Sequence, residues 1–124
     1  MTGRKVILAI DDDKMQLELF KRMLDFKFDI RTVESASSAL RYLNTDQQAD
    51  VILLDISMPN ITGFDFLYDI RTIPSYSDVP VIIISGQSGK AFHEEARKSS
   101  AFDVLSKPVN PETVIRAIEK ALAA

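Results

Sequence analysis

Apolar positions in this chain follow two alternating rhythms: short unbroken runs, and residues spaced three and four apart. Val6 to Ile10 (VILAI) is an unbroken, β-branched run that predicts a buried strand ending at Asp11-Asp12-Asp13. Leu17, Phe20 and Leu24, supported by Met23, predict a helix over 14–26. Phe28 to Val33 alternates apolar with polar, as a strand near a sheet edge does. Ala36, Ala39, Leu40 and Leu43 predict a second helix, with Ser35 as its N-cap. Val51 to Leu54 runs without interruption into Asp55 and then into Met58-Pro59-Asn60-Ile61-Thr62-Gly63, a turn-forming stretch. Such a run suits a strand buried on both faces.

Phe64, Leu67 and Ile70 predict a third helix that stops before Pro74. Pro80 to Ile84 reads as a strand, since proline is tolerated as a strand's first residue. Lys90 to Ser100 carries only Phe92 and Ala96 as an apolar stripe and predicts a poorly anchored, mobile helix. Phe102 to Leu105 is a short last strand. Asn110 as N-cap and Pro111 at the first helical position open a final helix, with Val114, Ile115, Ile118 and Leu122 as its buried face. Strands and helices alternating in this way predict right-handed crossovers and a parallel sheet covered on both faces. The expected fold is α/β, a flavodoxin-like (βα)5 doubly wound sandwich with strand order 2-1-3-4-5. Residues 1–124 are expected to form one domain, with no output domain of its own.

Composition narrows the chemistry. A chain of 124 residues, 46% hydrophobic and 27% charged, can bury a core of ordinary size. A net charge of −3 supplies no electrostatic reason to bind nucleic acid or membrane. Without cysteine there is no disulfide or thiolate metal site, and one histidine, His93, excludes a His-rich cluster. His93 reads as a surface helix residue. No apolar run approaches the roughly 18 residues of a membrane span, and the N-terminal residues lack a signal-peptide pattern. A cytoplasmic location is expected.

The strand ends carry complementary groups. Asp11-Asp12-Asp13 follows the first strand, Asp55 ends the third, Ser85 follows the fourth and Lys107 the fifth. Parallel strands bring all of these to one face, where open α/β sheets hold their ligands. Carboxylates gathered there repel; two unit charges about 4 Å apart cost on the order of 4 kcal/mol at an effective dielectric near 20. A hard divalent cation offsets that cost, and Mg²⁺ characteristically takes one or two carboxylates, waters and phosphate oxygens. Lys107 supplies a point charge for an anion and Ser85 a rotatable donor, while Gly86 leaves room for a ligand. Together they describe a site for a phosphoryl group, with a carboxylate able to form an acyl phosphate.

In this order and spacing, the acidic pair after strand one, Asp55 with Met58-Pro59 and Gly63, Ser85 after Ile-Ile-Ile, and Lys107-Pro108 resemble the receiver domain of two-component response regulators, over essentially the whole chain. The resemblance implies that Asp55 is the phosphoacceptor and that Asp12 ligates Mg²⁺ directly, with Asp11 acting through water and the Ser57 backbone carbonyl completing the set. It implies that Lys107 contacts the phosphoryl group through a loop with a cis bond to Pro108, and that Ser85 swings toward the phosphoryl oxygens, biasing a surface near helix four. The implied partners are a sensor histidine kinase or histidine phosphotransfer protein and a downstream effector, with the chain a monomer or weak dimer. Ser57 and Gln87 would flank the hydrolytic water and tune phosphoryl lifetime. Three positions depart from the family pattern: Val104 where an aromatic is frequent, Ser100-Ala101 in place of Gly-Ala, and Gly86 in place of alanine.

Each feature also has a plainer reading. Asp11 to Asp13 could simply favour a helix N-terminus, and Asp13 is expected to do only that. Val104 and Phe102 are expected to serve packing. A haloacid-dehalogenase-type phosphatase with Asp11 as nucleophile fits Asp11-x-Asp13 nominally, but Met15 stands where Thr or Val belongs and there is no late acidic pair. A receiver-like module that binds partners regardless of phosphate is a third reading. A dinucleotide-binding domain is disfavoured because the turn after strand one has no glycine.

Overall fold

A computed structural model of the chain describes residues 3–45, 48–56, 63–86 and 89–124. Strands β1 (Val6–Ile10), β2 (Asp29–Val33), β3 (Val51–Asp55), β4 (Val81–Ser85) and β5 (Asp103–Ser106) alternate with helices α1 (Lys14–Leu24), α2 (Ala36–Leu43), α3 (Gly63–Arg71), α4 (Lys90–Lys98) and α5 (Pro111–Ala123). A 3-10 turn, Pro74–Tyr76, lies between α3 and β4. The strands form one five-stranded sheet in the order β2-β1-β3-β4-β5, and every pairing is parallel. Both the alternation and the strand order are those expected from the sequence.

Two apolar layers follow from strand geometry, in which successive side chains point to opposite faces. Leu8, Ile10, Ile52, Leu54, Val81 and Ile83 pack with residues of α2, α3 and α4, while their neighbours Ile7, Ala9, Val51, Leu53, Ile82 and Ile84 pack with α1 and α5. All residues of β1, β3 and β4 are therefore buried, which is why these strands read as unbroken runs. β2, at the edge, is half-buried throughout.

Helix starts match the residue types that precede them. Asp13 caps α1, Ser35 caps α2 by accepting from the Ser38 N–H at 3.0 Å, and Asn110 caps α5 by accepting from the Thr113 N–H at 2.9 Å. α1 ends at Leu24, short of the expected 26, and Arg4 meets the carbonyls beyond its end: its guanidinium donates to those of Asp25 (2.7 Å) and Phe26 (2.6 Å). The buried face of α5 differs from expectation. Val114, Ala117, Ile118 and Ala121 are buried, whereas Ile115 and Leu122 are half-buried at its margins. Phe102 precedes β5 and is 40% exposed, so it is not a core residue, while Val104 is half-buried against the α2–α4 layer.

As expected, α4 buries only Phe92 and Ala96. It begins at Gly89, whose φ of 118° favours glycine and whose cap makes no side-chain hydrogen bond. Its other end is held by Arg71, the half-buried last residue of α3. The Arg71 Nε donates to Ser100 Oγ at 2.9 Å and Nη2 to the Ser100 carbonyl at 3.0 Å, while Nη1 donates to the carbonyls of Tyr76 and Val79. One guanidinium thus joins α3, the 3-10 turn, the start of β4 and the α4–β5 connection. Hydrogen bonds from a charged donor are each worth about 1.5–3 kcal/mol, and water repairs part of the loss at this half-exposed position. Arg71→Ala is expected to lower unfolding free energy by roughly 2–4 kcal/mol in urea titration, and Arg71→Lys to recover only part of it.

Candidate functional site

The strand ends converge as parallel pairing requires. Ile10 pairs with Leu54, so Asp11 and Asp55 are the next residues on adjacent strands. By alternation Asp11 and Asp55 share the parity of the α1/α5 layer, and so does Lys107 two residues beyond Leu105. Ser85 has the opposite parity, toward α3 and α4. It ends β4 fully buried, and its carbonyl accepts from the Lys107 N–H at 2.8 Å, which ties the start of the lysine loop to the strand. The Lys107-Pro108 bond is cis.

Carboxylate oxygens of Asp11, Asp12 and Asp55 lie within 4.8 Å of one another. Asp11 is fully buried, Asp55 is 4% exposed and Asp12 is exposed. Lys107 Nζ stands 3.3 Å from Asp55 Oδ2. Asp11 Oδ1 accepts from the Asp13 N–H at 2.9 Å, but Asp11 Oδ2 is buried with no partner among the described residues. A buried carboxylate oxygen in this position beside two further carboxylates is costly unless a proton or a cation meets it. An all-oxygen donor set with an exposed member suits Mg²⁺, which keeps several of its waters.

Burial pushes the Asp11 carboxyl up to about 7 from 3.8; the bond from the Asp13 N–H works against this, Asp55 adds to it and Lys107 opposes it. The sign follows directly. Between the two values the folded state holds a proton that the unfolded state has lost, so stability falls as pH rises through that window. Each pH unit crossed there is worth up to ~1.4 kcal/mol. In metal-free protein, wild type should therefore lose a few kcal/mol relative to Asp11→Asn between about pH 4 and pH 7. Urea titrations of both proteins in chelator across this range measure the difference.

Asp11, Asp12, Asp55, Ser85 and Lys107, singled out from sequence, thus meet at one end of the sheet. Ser57, Gln87 and the Met58-Pro59 turn lie outside the described residues. Among the described residues, a Cβ at Gly86 would meet only the Lys107 side chain, at 4.0 Å. His93 is exposed and touches the edge of Phe92. Asp13 does more than expected, since its backbone N–H holds Asp11. The sequence signal for this is the run of acids ahead of the first helix, which by itself points only to a cap. The cap counts against the phosphatase reading. Asp13 Oδ1 accepts from the Met15 N–H at 2.9 Å, so the second acid of Asp-x-Asp is committed to α1.

Comparison with known proteins agrees with this geometry. A sequence model of the response regulator receiver domain matches residues 7–119. The chain is 32% identical over 111 residues to the two-component response regulator ORR3 of Oryza sativa subsp. indica, covering 89% of this chain and 85% of that protein. Among solved structures, the chemotaxis protein CheY4 of Vibrio cholerae superposes with a TM-score of 0.89 at 26% identity, covering 97% of this chain and all of that one (100%). A response regulator receiver domain protein from Clostridium thermocellum gives 0.85 at 30% identity, covering 96% and 94%. No described helix is long and apolar enough to cross a membrane.

Proposed function

The chain belongs to the response regulator receiver family of two-component signalling proteins, and on that premise we propose that Asp55 is its phosphoacceptor. The observation that carries this is the pairing of a buried carboxylate with Lys107, 3.3 Å away, beside the acidic cluster. The donor is a phosphohistidine on a sensor histidine kinase or a histidine phosphotransfer protein. An Asp55 carboxylate oxygen attacks phosphorus, the P–N bond breaks, and the imidazole leaves as the neutral ring after taking a proton. The product is an acyl phosphate on Asp55.

Lys107, whose Nζ lies 3.3 Å from Asp55 Oδ2, balances charge on the phosphoryl oxygens. The Ser85 hydroxyl, at the buried end of β4, donates to a phosphoryl oxygen once one is present, and this biases α4, the helix with the thinnest apolar anchor. Asp12 and Asp55, with Asp11 acting through water, would hold Mg²⁺, and the Ser57 backbone carbonyl would complete the set. Bound there, Mg²⁺ neutralises charge on the transferring phosphoryl group. The family consists of signalling modules, and Asp55 is modified rather than turning over a separate substrate. The effector that reads the modified state, and a cytoplasmic location, are parts of the same proposal.

Incubation with a small phosphodonor and Mg²⁺, followed by intact mass, tests it. Wild type should gain one phosphoryl group and Asp55→Asn none. A gain of equal size in Asp55→Asn would end the assignment.

A further inference from the structure

Asp13 occupies the junction between β1 and α1 and makes hydrogen bonds in both directions. Forward, its Oδ1 accepts from the N–H groups of Met15 (2.9 Å) and Gln16 (3.4 Å), and its carbonyl accepts from the Leu17 N–H at 3.1 Å. Backward, its own N–H donates to Asp11 Oδ1 at 2.9 Å. The extended backbone at Asp13, φ −92° and ψ 107°, lets one residue serve both ends.

In a reciprocal capping box the side chain at the third helical position, here Gln16, would reach back to the N-cap N–H. In this chain Asp11 takes that N–H instead. Gln16 Nε2 is left buried without a partner among the described residues. The helix start has given up half of its usual capping arrangement to hold a carboxylate at the strand end. The consequence falls on Asp11. With Oδ1 tied to the backbone, the carboxylate cannot rotate freely, and Oδ2 is the oxygen left without a partner among the described residues, in the acidic cluster.

We propose that Asp13 is a positioning residue: its side-chain cap fixes the first turn of α1, and through that turn its N–H orients Asp11 for the cation. This rests on reading the acidic cluster as a Mg²⁺ site. Hydrogen-bond partners behind a metal ligand alter metal affinity by about 10–100-fold when removed. Without the cap the first turn frays, the Asp13 N–H leaves Asp11, and both oxygens of Asp11 become free to turn.

Calorimetric titration of metal-free protein with Mg²⁺, at about 0.15 M salt so that distant charges are screened, separates the possibilities. Asp13→Ala should bind Mg²⁺ roughly tenfold more weakly, the lower end of the range for such partners. Asp13→Asn keeps a capping oxygen but loses the charge, and should bind within about twofold of wild type. Arg4→Ala loosens the same helix from its far end, where Arg4 holds the Asp25 and Phe26 carbonyls, and should lower thermal stability without changing Mg²⁺ affinity. The Asp13 amide should exchange faster in Asp13→Ala but not in Asp13→Asn.

If Asp13→Asn binds as weakly as Asp13→Ala, the effect is one of charge and the positioning role is overturned. If Arg4→Ala weakens binding as much as Asp13→Ala, general loosening of α1 explains the result and the role is again overturned. Equal affinity in wild type and every variant removes it as well. If wild type itself binds no Mg²⁺, the reading of the site fails and the positioning role falls with it. That outcome is distinguishable from the others because it appears before any variant is compared.

Discussion

Lys107→Ala is expected to slow phosphorylation of Asp55 by about two to three orders of magnitude at saturating Mg²⁺, the usual cost of removing one electrostatic contact to a developing anion. The expectation comes from position: Lys107 Nζ lies 3.3 Å from Asp55 Oδ2, and the acids lie around the same carboxylate. The same substitution has a second effect. Asp55 is buried, and removing one partner of a buried ion pair costs about 3–5 kcal/mol when the other charge is left behind. Lys107 is 31% exposed, so water reduces that figure. Metal-free Lys107→Ala should therefore unfold at lower temperature than wild type, and Mg²⁺ should restore more stability to it than to wild type. Stopped-flow or quenched mass measurements give the rate, and melting curves with and without Mg²⁺ give the stability. A variant that phosphorylates at the wild-type rate would remove Lys107 from the chemistry.

Mg²⁺ itself should stabilise the folded chain. A ligand at about one hundred times its dissociation constant adds roughly 2.7 kcal/mol, which for a domain of this size raises the melting temperature by about 10 °C. The gain would reflect neutralisation of the acidic cluster, in which carboxylate oxygens of Asp11, Asp12 and Asp55 lie within 4.8 Å of one another. Asp12→Asn should abolish most of the gain while leaving the metal-free melting temperature unchanged or higher, because an exposed repelling charge is removed. Chelator should also stop phosphorylation by a small donor in wild type. A melting curve indifferent to Mg²⁺, or an equal gain in Asp12→Asn, would contradict the assignment of the cluster.

Hydrophobic periodicity and strand polarity determine what is legible in the sequence. β1, β3 and β4 are buried on both faces, so they appear as unbroken apolar runs, and the polar residues at their ends must share a face once the sheet is parallel. That is why Asp11, Asp12, Asp55, Ser85 and Lys107 can be gathered from distant positions by sequence pattern alone. Contacts made by polar side chains to distant backbone are not legible. The backbone partners of Arg71, at the end of α3, are the carbonyls of Tyr76, Val79 and Ser100. The Asp13–Asp11 bond leaves no sequence signature, because its donor is a backbone N–H that nearly any residue type supplies. On α5 the small residues Ala117 and Ala121 lie in the buried face, where larger Ile115 and Leu122 are expected, because alanine carries a weak hydrophobic signal while permitting close approach.

The proposed site of the phosphoryl group, Asp55, can be read at residue level. Reducing the phosphorylated protein with borohydride converts an aspartyl phosphate to homoserine, and peptide mapping then finds the altered residue. The predicted result is homoserine at position 55 alone, formed only when Mg²⁺ was present. Conversion at position 11, or none in a sample whose intact mass has already risen by one phosphoryl group, would contradict it.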